Sequence, residues 1–437
     1  MEKREKFTSR MGFVMACIGS AIGLGNIWMF PYRLGAYGGA AFLIPYFLFV
    51  LVLGTTGLIT EFAFGRAFGG GSMTGISEVF RKRKWKGGKV AGMLPAIGLL
   101  GIFMFYNVVV GWILKYLVMS GTGELAKVDK NTYFNEFAGS PASIPWDAVA
   151  ILLTVLVICA GVVKGIERIS KIIMPALFLI FLVLIFQTLS LPGAMEGVKF
   201  LLQPKWEYLL KADTWVMALG QAFFTVSING CGMVVYGSYL EKEYDIPRLA
   251  VSTAVLDTLA AVLASFVIMP AVFAFGLDAK SGPPLLFMTM PVIFEKMPGG
   301  AILAVIFFIS LLCAAISSSI NMLEGVVEAI ISHSKLTRKK AVLLVGVITF
   351  VLSIPLNLSM TTFDNFTNLI TVVISPLMAL LVLIVFYYLY DGKKALAAIN
   401  EGAKKPLGEK FLAFAKYVFV IVTILVVILG IAYGGIG

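Results

Sequence analysis

The sequence predicts an all-α polytopic membrane protein, and three features of its composition lead to this prediction. Hydrophobic residues make up 59% of the 437 positions, and the mean hydropathy is +0.94. Charged residues make up only 14%, whereas soluble domains carry roughly 25%. The apolar runs are continuous, which favours helices, because the strands of a membrane barrel alternate apolar and polar residues.

Eleven apolar runs are long enough to cross a membrane, since a spanning helix needs about 20 apolar residues. They are predicted as spans 1 to 11, at residues 11–37, 40–67, 92–120, 147–163, 169–190, 213–240, 250–277, 301–332, 341–358, 366–390 and 412–435. No polar block between them is long enough to fold by itself. We therefore expect residues 1–437 to form a single membrane domain.

The polar residues exclude other classes of protein. The single histidine, His333, leaves no histidine-based triad or zinc cluster, and no nucleophile stands beside a base, so no enzyme is expected. The cysteines Cys17, Cys159, Cys231 and Cys313 all lie in apolar runs, which predicts neither a disulfide framework nor a metal site. The first apolar run has no small-residue cleavage pattern, so no cleavable signal is expected.

Basic residues are distributed unevenly between the two sets of loops. With a cytoplasmic N-terminus, the cytoplasmic segments hold 24 Lys and Arg residues, and these segments are 1–10, 81–89, 164–171, 241–248, 334–340 and 391–410. The opposite segments hold seven, and these are 121–146, 191–211, 277–299 and 356–364. The positive-inside rule therefore predicts that the N-terminus is cytoplasmic. The formal charge of +11 is explained by anionic lipid head groups, and no nucleic-acid partner is expected.

Two spans carry clusters of glycine and small polar residues at mid-membrane depth. Span 1 contains them at residues 19–26, and span 6 contains them at residues 227–232. Glycine weakens a helix, so both spans are predicted to break there. Because the breaks fall in the first and sixth spans, spans 1–5 and 6–10 are predicted to be inverted repeats, which is typical of secondary transporters. Alternatively, the glycines only allow close helix packing.

The predicted breaks indicate an amphiphilic, charged ligand. Unwinding frees N–H and C=O groups that need partners away from water. N-terminal helix ends favour a carboxylate, and freed carbonyls favour a monovalent cation or an ammonium group, so an amino acid with sodium satisfies both. Nearby hard oxygen donors suit an alkali cation, and these are Asn26, Thr225, Ser227 and Ser317-Ser318-Ser319. Alternatively, the serines only bond back to their own helix.

Two of the acidic residues inside predicted spans carry a prediction. Asp257 lies within span 7, where an acid costs roughly 2.5–3.5 kcal/mol on insertion scales, so a functional role is expected. Sodium coordination, a proton relay and an interhelical hydrogen bond all remain open for it. Glu61, in span 2, is predicted to be a structural acid that caps N–H groups freed at a helix break.

Several motifs together resemble the neurotransmitter:sodium symporter family. They are Arg4, Phe7 and Arg10, then residues 19–28, Phe30-Pro31 and residues 38–42, and further along residues 223–227, 317–319 and Phe363-Asp364. The resemblance covers nearly the whole chain. It implies the leucine-transporter fold, with ten helices in two inverted repeats, and sodium-driven uptake of an amino acid.

Matched position by position, the resemblance implies two sodium sites and one substrate site. The first sodium site would use the Ala21 carbonyl, Asn26, Thr225 and Asp257, and the second would use the carbonyls of Gly19, Ile22 and Ala314 with the hydroxyls of Ser317 and Ser318. The substrate carboxylate would meet Leu24, Gly25 and Tyr106, and its ammonium group would meet the carbonyls of Ala21, Phe224, Thr225 and Ser227. The side-chain pocket would be lined by Ile102, Phe224, Ser318 and Met322. Tyr106 and Phe224 would also form a lid over the substrate.

The chain departs from the family pattern at both gates. Met29 replaces the usual arginine, so the outer salt bridge with Asp364 cannot form. Either the aromatic lid then carries the outer closure, or Asp364 has another partner. At the inner gate Arg4 matches, but its usual acidic partner falls on Ser332.

Two further departures concern the ligands. The usual Gly-aromatic-Gly of span 6 falls on Asn229-Gly230-Cys231, or one residue later, so a large side chain is missing and a bulkier, aromatic substrate is predicted. Chloride-dependent members carry a neutral residue where this chain has Asp257, which predicts transport without chloride. The end of the chain after an eleventh span resembles prokaryotic members and predicts a prokaryotic inner membrane.

Gly165 and Pro175 bracket nine residues at the start of span 5 and resemble the family's Gly-X9-Pro motif. Both residues lower the cost of unwinding a helix. The motif predicts that this end opens a water path to the second sodium site. Alternatively, they are an ordinary loop glycine and a tolerated membrane proline.

Two other functions are weighed against symport. A channel needs a continuous polar lining, which the apolar, aromatic pocket argues against. A sensor on the same scaffold would bind the amino acid without transporting it.

Overall fold

The computed structural model of the protein describes residues 7–130, 132–277 and 285–435. Helices occupy all the predicted spans. In chain order they are Arg10–Ala21 with Gly25–Ala36, Ala40–Phe68, Gly88–Thr122, Pro141–Cys159, Val162–Leu189, Ala212–Thr225 with Gly232–Ser238, Ile246–Ala274, Gly300–His333, Arg338–Leu358, Met360–Leu389 and Glu409–Ala432. Shorter helices connect them at Ser72–Lys82, Tyr133–Phe137, Ala194–Leu202, Met290–Lys296 and Gly392–Asn400. The span numbers used above are kept for these helices.

Nine helices of the described residues are long and apolar enough to cross a membrane. A tenth span is formed when Arg10–Ala21 and Gly25–Ala36 are taken together, and these halves of span 1 are bent by 53°. The halves of span 6, Ala212–Thr225 and Gly232–Ser238, contain 14 and seven residues. Both predicted breaks are therefore present in the structure.

The boundary between spans 4 and 5 differs from the prediction. Span 4 was expected to end near residue 163, but its helix ends at Cys159, and span 5 already begins at Val162. Gly161 separates them with a φ of 88°, a conformation that favours glycine. The basic residues at 164–171, predicted as a loop, are thus the first turns of span 5. A span prediction based on hydropathy leaves out these turns, because they are helical but contain polar residues.

The long helices of spans 3 and 8 pack against each other through the centre of the molecule. Span 2 packs on the second half of span 6, and a Cβ at Gly65 would lie 1.9 Å from the Val234 carbonyl oxygen. Spans 5 and 11 lie at the periphery, since only 28% of the most apolar stretch of each is buried. Their apolar surfaces match the hydrocarbon of a bilayer.

Candidate functional site

The two helix breaks face each other across one cavity. Ser227, in the break of span 6, donates a hydrogen bond to the carbonyl oxygen of Ser20 at 3.1 Å. Ser227 has a φ of 57°, which is uncommon for a residue with a side chain. This hydrogen bond places the break of span 6 directly beside the break of span 1, as predicted.

A buried acid lies beside both breaks. One carboxylate oxygen of Asp257 accepts a hydrogen bond from the Asn26 amide at 2.7 Å, and the other accepts one from the Thr225 hydroxyl at 2.8 Å. Asn26 and Asp257 are fully buried, and Thr225 is nearly so. The structure therefore brings together the three side chains predicted for the first sodium site, and Ala21 lies in the same cavity.

The residues predicted for the second sodium site also lie together. The Ser318 hydroxyl lies 3.2–3.3 Å from the carbonyl oxygens of Gly19, Ser20 and Ile22. The Ser317 hydroxyl donates to the Ala314 carbonyl at 2.8 Å. A Cβ at Gly19 would lie 3.0 Å from the Ser317 Cβ, so this part of span 1 lies directly against span 8.

The chemistry of both groups of residues fits an alkali cation. Carbonyl, hydroxyl and carboxylate oxygens are the donors that such ions prefer. The hydrogen-bond partners of Asp257 within the described residues are neutral, and a buried carboxylate needs a compensating charge. The Ser20 hydroxyl, which also lines the cavity, is buried without a hydrogen-bond partner in the described part of the chain.

All ten residues predicted for the substrate site line the cavity. They are Ala21, Leu24, Gly25, Ile102, Tyr106, Phe224, Thr225, Ser227, Ser318 and Met322. Sequence reasoning missed Ser20, Gly23, Gly220, Phe223, Ile228, Asn229, Thr371, Val372, Ser375, Pro376 and Val426, which also line it. Thr371 and Ser375 are polar residues one helical turn apart in an apolar span, a signal that could have identified span 10 as a wall.

The two lid residues, Tyr106 and Phe224, lie close to span 1 at positions where span 1 has glycine. The Tyr106 hydroxyl accepts a hydrogen bond from the N–H of Leu24 at 3.2 Å. A Cβ at Gly23 would lie 2.7 Å from this hydroxyl, and a Cβ at Gly25 would lie 3.0 Å from the ring of Phe224. A side chain at either position would displace the lid, so close approach requires both glycines.

The prediction that Glu61 caps a helix break is confirmed. Its carboxylate accepts hydrogen bonds from the N–H groups of Asn229 at 3.0 Å and Gly230 at 2.7 Å. Asn229 in turn caps the second half of span 6, because its side-chain oxygen accepts from Cys231 and Gly232 at 3.0 Å. A Cβ at Gly230 would lie 2.4 Å from the Met378 carbonyl oxygen. Gly230 therefore packs against span 10, while Asn229 faces the cavity.

The structure describes Asp364 at the outer gate and Ser332 at the inner gate. Asp364 is exposed and forms no ion pair with the described residues. Arg4 lies outside the described residues, and Ser332 donates to Glu328 at 2.7 Å. Glu167 of span 5 holds the N-terminal end of span 1 by accepting a hydrogen bond from the N–H of Thr8 at 2.8 Å. The sequence marks Glu167 as an acid within the basic segment 164–171, but it does not indicate its partner.

A solute cavity between two broken membrane helices defines a transporter of the class that binds its solute near the bilayer midplane. Comparison with known proteins identifies the family. The chain belongs to the Sodium:neurotransmitter symporter family, whose model matches residues 4–140 and 136–434. It is thus a member of a family of membrane transporters, and its relatives are symporters rather than enzymes.

Individual relatives extend over most of the chain. The sodium-dependent transporter YhdH of Bacillus subtilis is 40% identical over 82% of this chain and 79% of its own length. The sodium-dependent transporter MJ1319 of Methanocaldococcus jannaschii is 30% identical over 94% of this chain and 87% of its own length. The crystal structure of MhsT in complex with L-phenylalanine is 34% identical, with a TM-score of 0.86, and the match covers 98% of this chain and 100% of MhsT.

Proposed function

We propose that the protein is a sodium-coupled symporter that imports a hydrophobic, aromatic amino acid by alternating access. The observation that carries the proposal is that two helix breaks meet at one cavity beside the fully buried carboxylate of Asp257. Membership of the symporter family supports sodium coupling, and the complex of MhsT with L-phenylalanine supports an amino-acid substrate.

The proposed architecture is one transport domain, residues 1–437, with eleven spans. The halves of span 6 count as one broken span, like those of span 1. Spans 1–5, at about 11–190, and spans 6–10, at about 213–390, are inverted repeats, and span 11, at about 412–435, is additional. The distribution of basic residues supports a cytoplasmic N-terminus in a prokaryotic inner membrane.

The proposed ligands are one amino acid and two sodium ions. The substrate meets Ala21, Leu24, Gly25, Ile102, Tyr106, Phe224, Thr225, Ser227, Ser318 and Met322. The ions meet Ala21, Asn26, Thr225 and Asp257 at the first site, and Gly19, Ile22, Ala314, Ser317 and Ser318 at the second. When bound, the ions supply the positive charge that balances the negative charge of these buried oxygen atoms. Because the substrate carboxylate would complete the shell of the first ion, each ligand raises the affinity for the other.

The pocket supports an aromatic side chain. The family pattern places its large aromatic residue at Gly230, or at Cys231 if the register shifts by one, and neither residue lines the cavity. Asn229 does line it, and its side-chain oxygen is held by capping Cys231 and Gly232. Gly230 packs against span 10 and adds no side chain to the cavity. Within the break of span 6, the residues that line the cavity are Ser227, Ile228 and Asn229, and none of these three is aromatic.

A thermal-stability screen tests the proposed ligands. Purified protein is heated with each of the twenty amino acids, in sodium and in potassium. A ligand that binds only the folded state raises the midpoint by mass action, so L-phenylalanine, L-tyrosine or L-tryptophan should raise it in sodium and not in potassium. Stabilisation by small polar amino acids alone would contradict the aromatic specificity.

An amino-acid sensor on the same scaffold is the alternative function, and binding alone does not separate it from a symporter. Proteoliposomes with an inward sodium gradient do so, because a symporter accumulates radiolabelled L-phenylalanine and a sensor does not. Choline in place of sodium serves as the control. Binding without accumulation would favour the sensor.

A further inference from the structure

An arginine lies one helical turn beyond the position where the family pattern places one. Met29 occupies that position, and Arg33 follows four residues later in the same half of span 1, Gly25–Ala36. Residues four apart share a helix face, and helical side chains lean towards the N-terminal end of their helix. The Arg33 side chain therefore leans back towards the level of Met29 and the break. It is nearly completely buried, with 4% of its surface exposed.

A glutamine links this arginine to the broken segment. The guanidinium of Arg33 donates a hydrogen bond to the side-chain oxygen of Gln221 at 2.9 Å. The side-chain nitrogen of Gln221 donates to the Gly25 carbonyl oxygen at 3.0 Å. Gln221 is fully buried in the first half of span 6, one turn before Thr225. The side-chain oxygen of Gln221 is thus held by the charged Arg33, and its side-chain nitrogen is held by Gly25 in the broken segment of span 1.

The link continues from Gly25 to the buried acid. Gly25 lines the cavity, and its carbonyl belongs to the peptide group that it shares with Asn26. The side chain of Asn26 donates to Asp257 at 2.7 Å. Three hydrogen bonds, together with the Gly25–Asn26 peptide group and the Asn26 side chain, therefore connect a buried cation, Arg33, to a buried anion, Asp257.

We propose that Arg33 is a positioning residue for the substrate carboxylate and the first sodium ion. It supplies, one helical turn further along span 1, the guanidinium that the family pattern places at position 29, and it acts through Gln221 rather than through an outer salt bridge with Asp364. This inference rests on the proposed symport of an amino acid. Arg33 acts through Gln221, because the charge-assisted hydrogen bond orients the amide that holds the Gly25 peptide.

Four variants of the full-length protein test this role by equilibrium binding of L-phenylalanine in sodium. Arg33→Met should weaken binding at least about tenfold, which corresponds to about 1.4 kcal/mol, because the Gln221 amide that holds the Gly25 peptide is no longer oriented. Gln221→Glu keeps an acceptor for Arg33 and loses the donor to Gly25, so it should weaken binding similarly. The double variant Met29→Arg/Arg33→Met should recover most of the lost affinity. Lys199→Met, which removes an exposed cation, should bind like the wild type.

A purely structural role for Arg33 gives a different pattern. Arg33→Met would then lower the thermal midpoint while leaving the affinity unchanged, and this result would overturn the inference. Wild-type affinity in Gln221→Glu, or no recovery in the double variant, would also overturn it. If the wild type itself binds neither sodium nor L-phenylalanine, the proposed function fails, and the inference fails with it.

Discussion

The side-chain amide of Asn26 donates a hydrogen bond to the carboxylate of Asp257 at 2.7 Å, although 231 positions separate these residues. Thr225 donates to the second carboxylate oxygen. One acid of span 7 thereby joins the break of span 1 to that of span 6. Because its partners in the described chain are neutral, its charge has to be balanced by a bound cation or a proton.

Asp257→Asn should lower the apparent affinity for sodium at least about tenfold, because it removes the negative charge at the first ion site. The measurement is a sodium titration of L-phenylalanine binding to purified protein. Glu196→Gln removes an exposed acid and serves as the matched control. Equal sodium affinities of Asp257→Asn and the wild type would exclude Asp257 from the ion site.

Replacement of chloride by gluconate should leave sodium-driven uptake unchanged. The prediction follows from the proposed function, in which the Asp257 carboxylate would supply the negative charge that the family resemblance assigns to chloride in chloride-dependent members. Uptake into proteoliposomes is measured with both anions at the same sodium gradient. Collapse of uptake in gluconate would contradict this prediction.

Glu61→Leu should destabilise the protein, because it leaves the N–H groups of Asn229 and Gly230 without acceptors. Each unsatisfied buried group costs about 1–3 kcal/mol. Glu61→Gln retains an acceptor oxygen and should lose much less stability. Thermal midpoints of the ligand-free variants provide the comparison, and equal midpoints for Leu and Gln would argue against the capping role.

Ser227→Gly should be more stable than Ser227→Ala by about 1 kcal/mol. Both variants lose the hydrogen bond to Ser20, but only glycine adopts the φ of 57° without strain. Because the lost hydrogen bond is common to both, the difference between their thermal midpoints reports the backbone strain. A lower midpoint for the glycine variant would show that the left-handed conformation at 227 is not populated.

Pro175→Ala should slow the release of sodium to the cytoplasmic side. Val162–Glu167 forms a π-helical turn, and Pro175 lies inside the following helix, where it removes one backbone hydrogen bond. Alanine restores this bond, so unwinding becomes more costly. Stopped-flow sodium efflux from proteoliposomes measures the effect, and an unchanged rate would remove this role for the motif.

Local chemistry accounts for what could be predicted from the sequence. Apolar run length determines where spans lie, and clustered glycines determine where a helix breaks, because both effects act within one continuous stretch of about 20 residues. The cap by Glu61 was predictable because a buried acid needs donors and a break frees them. The family motifs then matched distant segments to one site.

Contacts between distant spans were decided only by the tertiary structure. No local pattern relates Arg33 to Gln221, which are 188 positions apart, or Glu167 to Thr8. Thr371 and Ser375 are a polar pair that the sequence shows in span 10, but no local pattern relates this pair to the breaks of spans 1 and 6. These pairs depend on which helix faces lie together, and in an all-apolar environment many faces have similar hydropathy. Side-chain shape and polar pairing between spans select the arrangement.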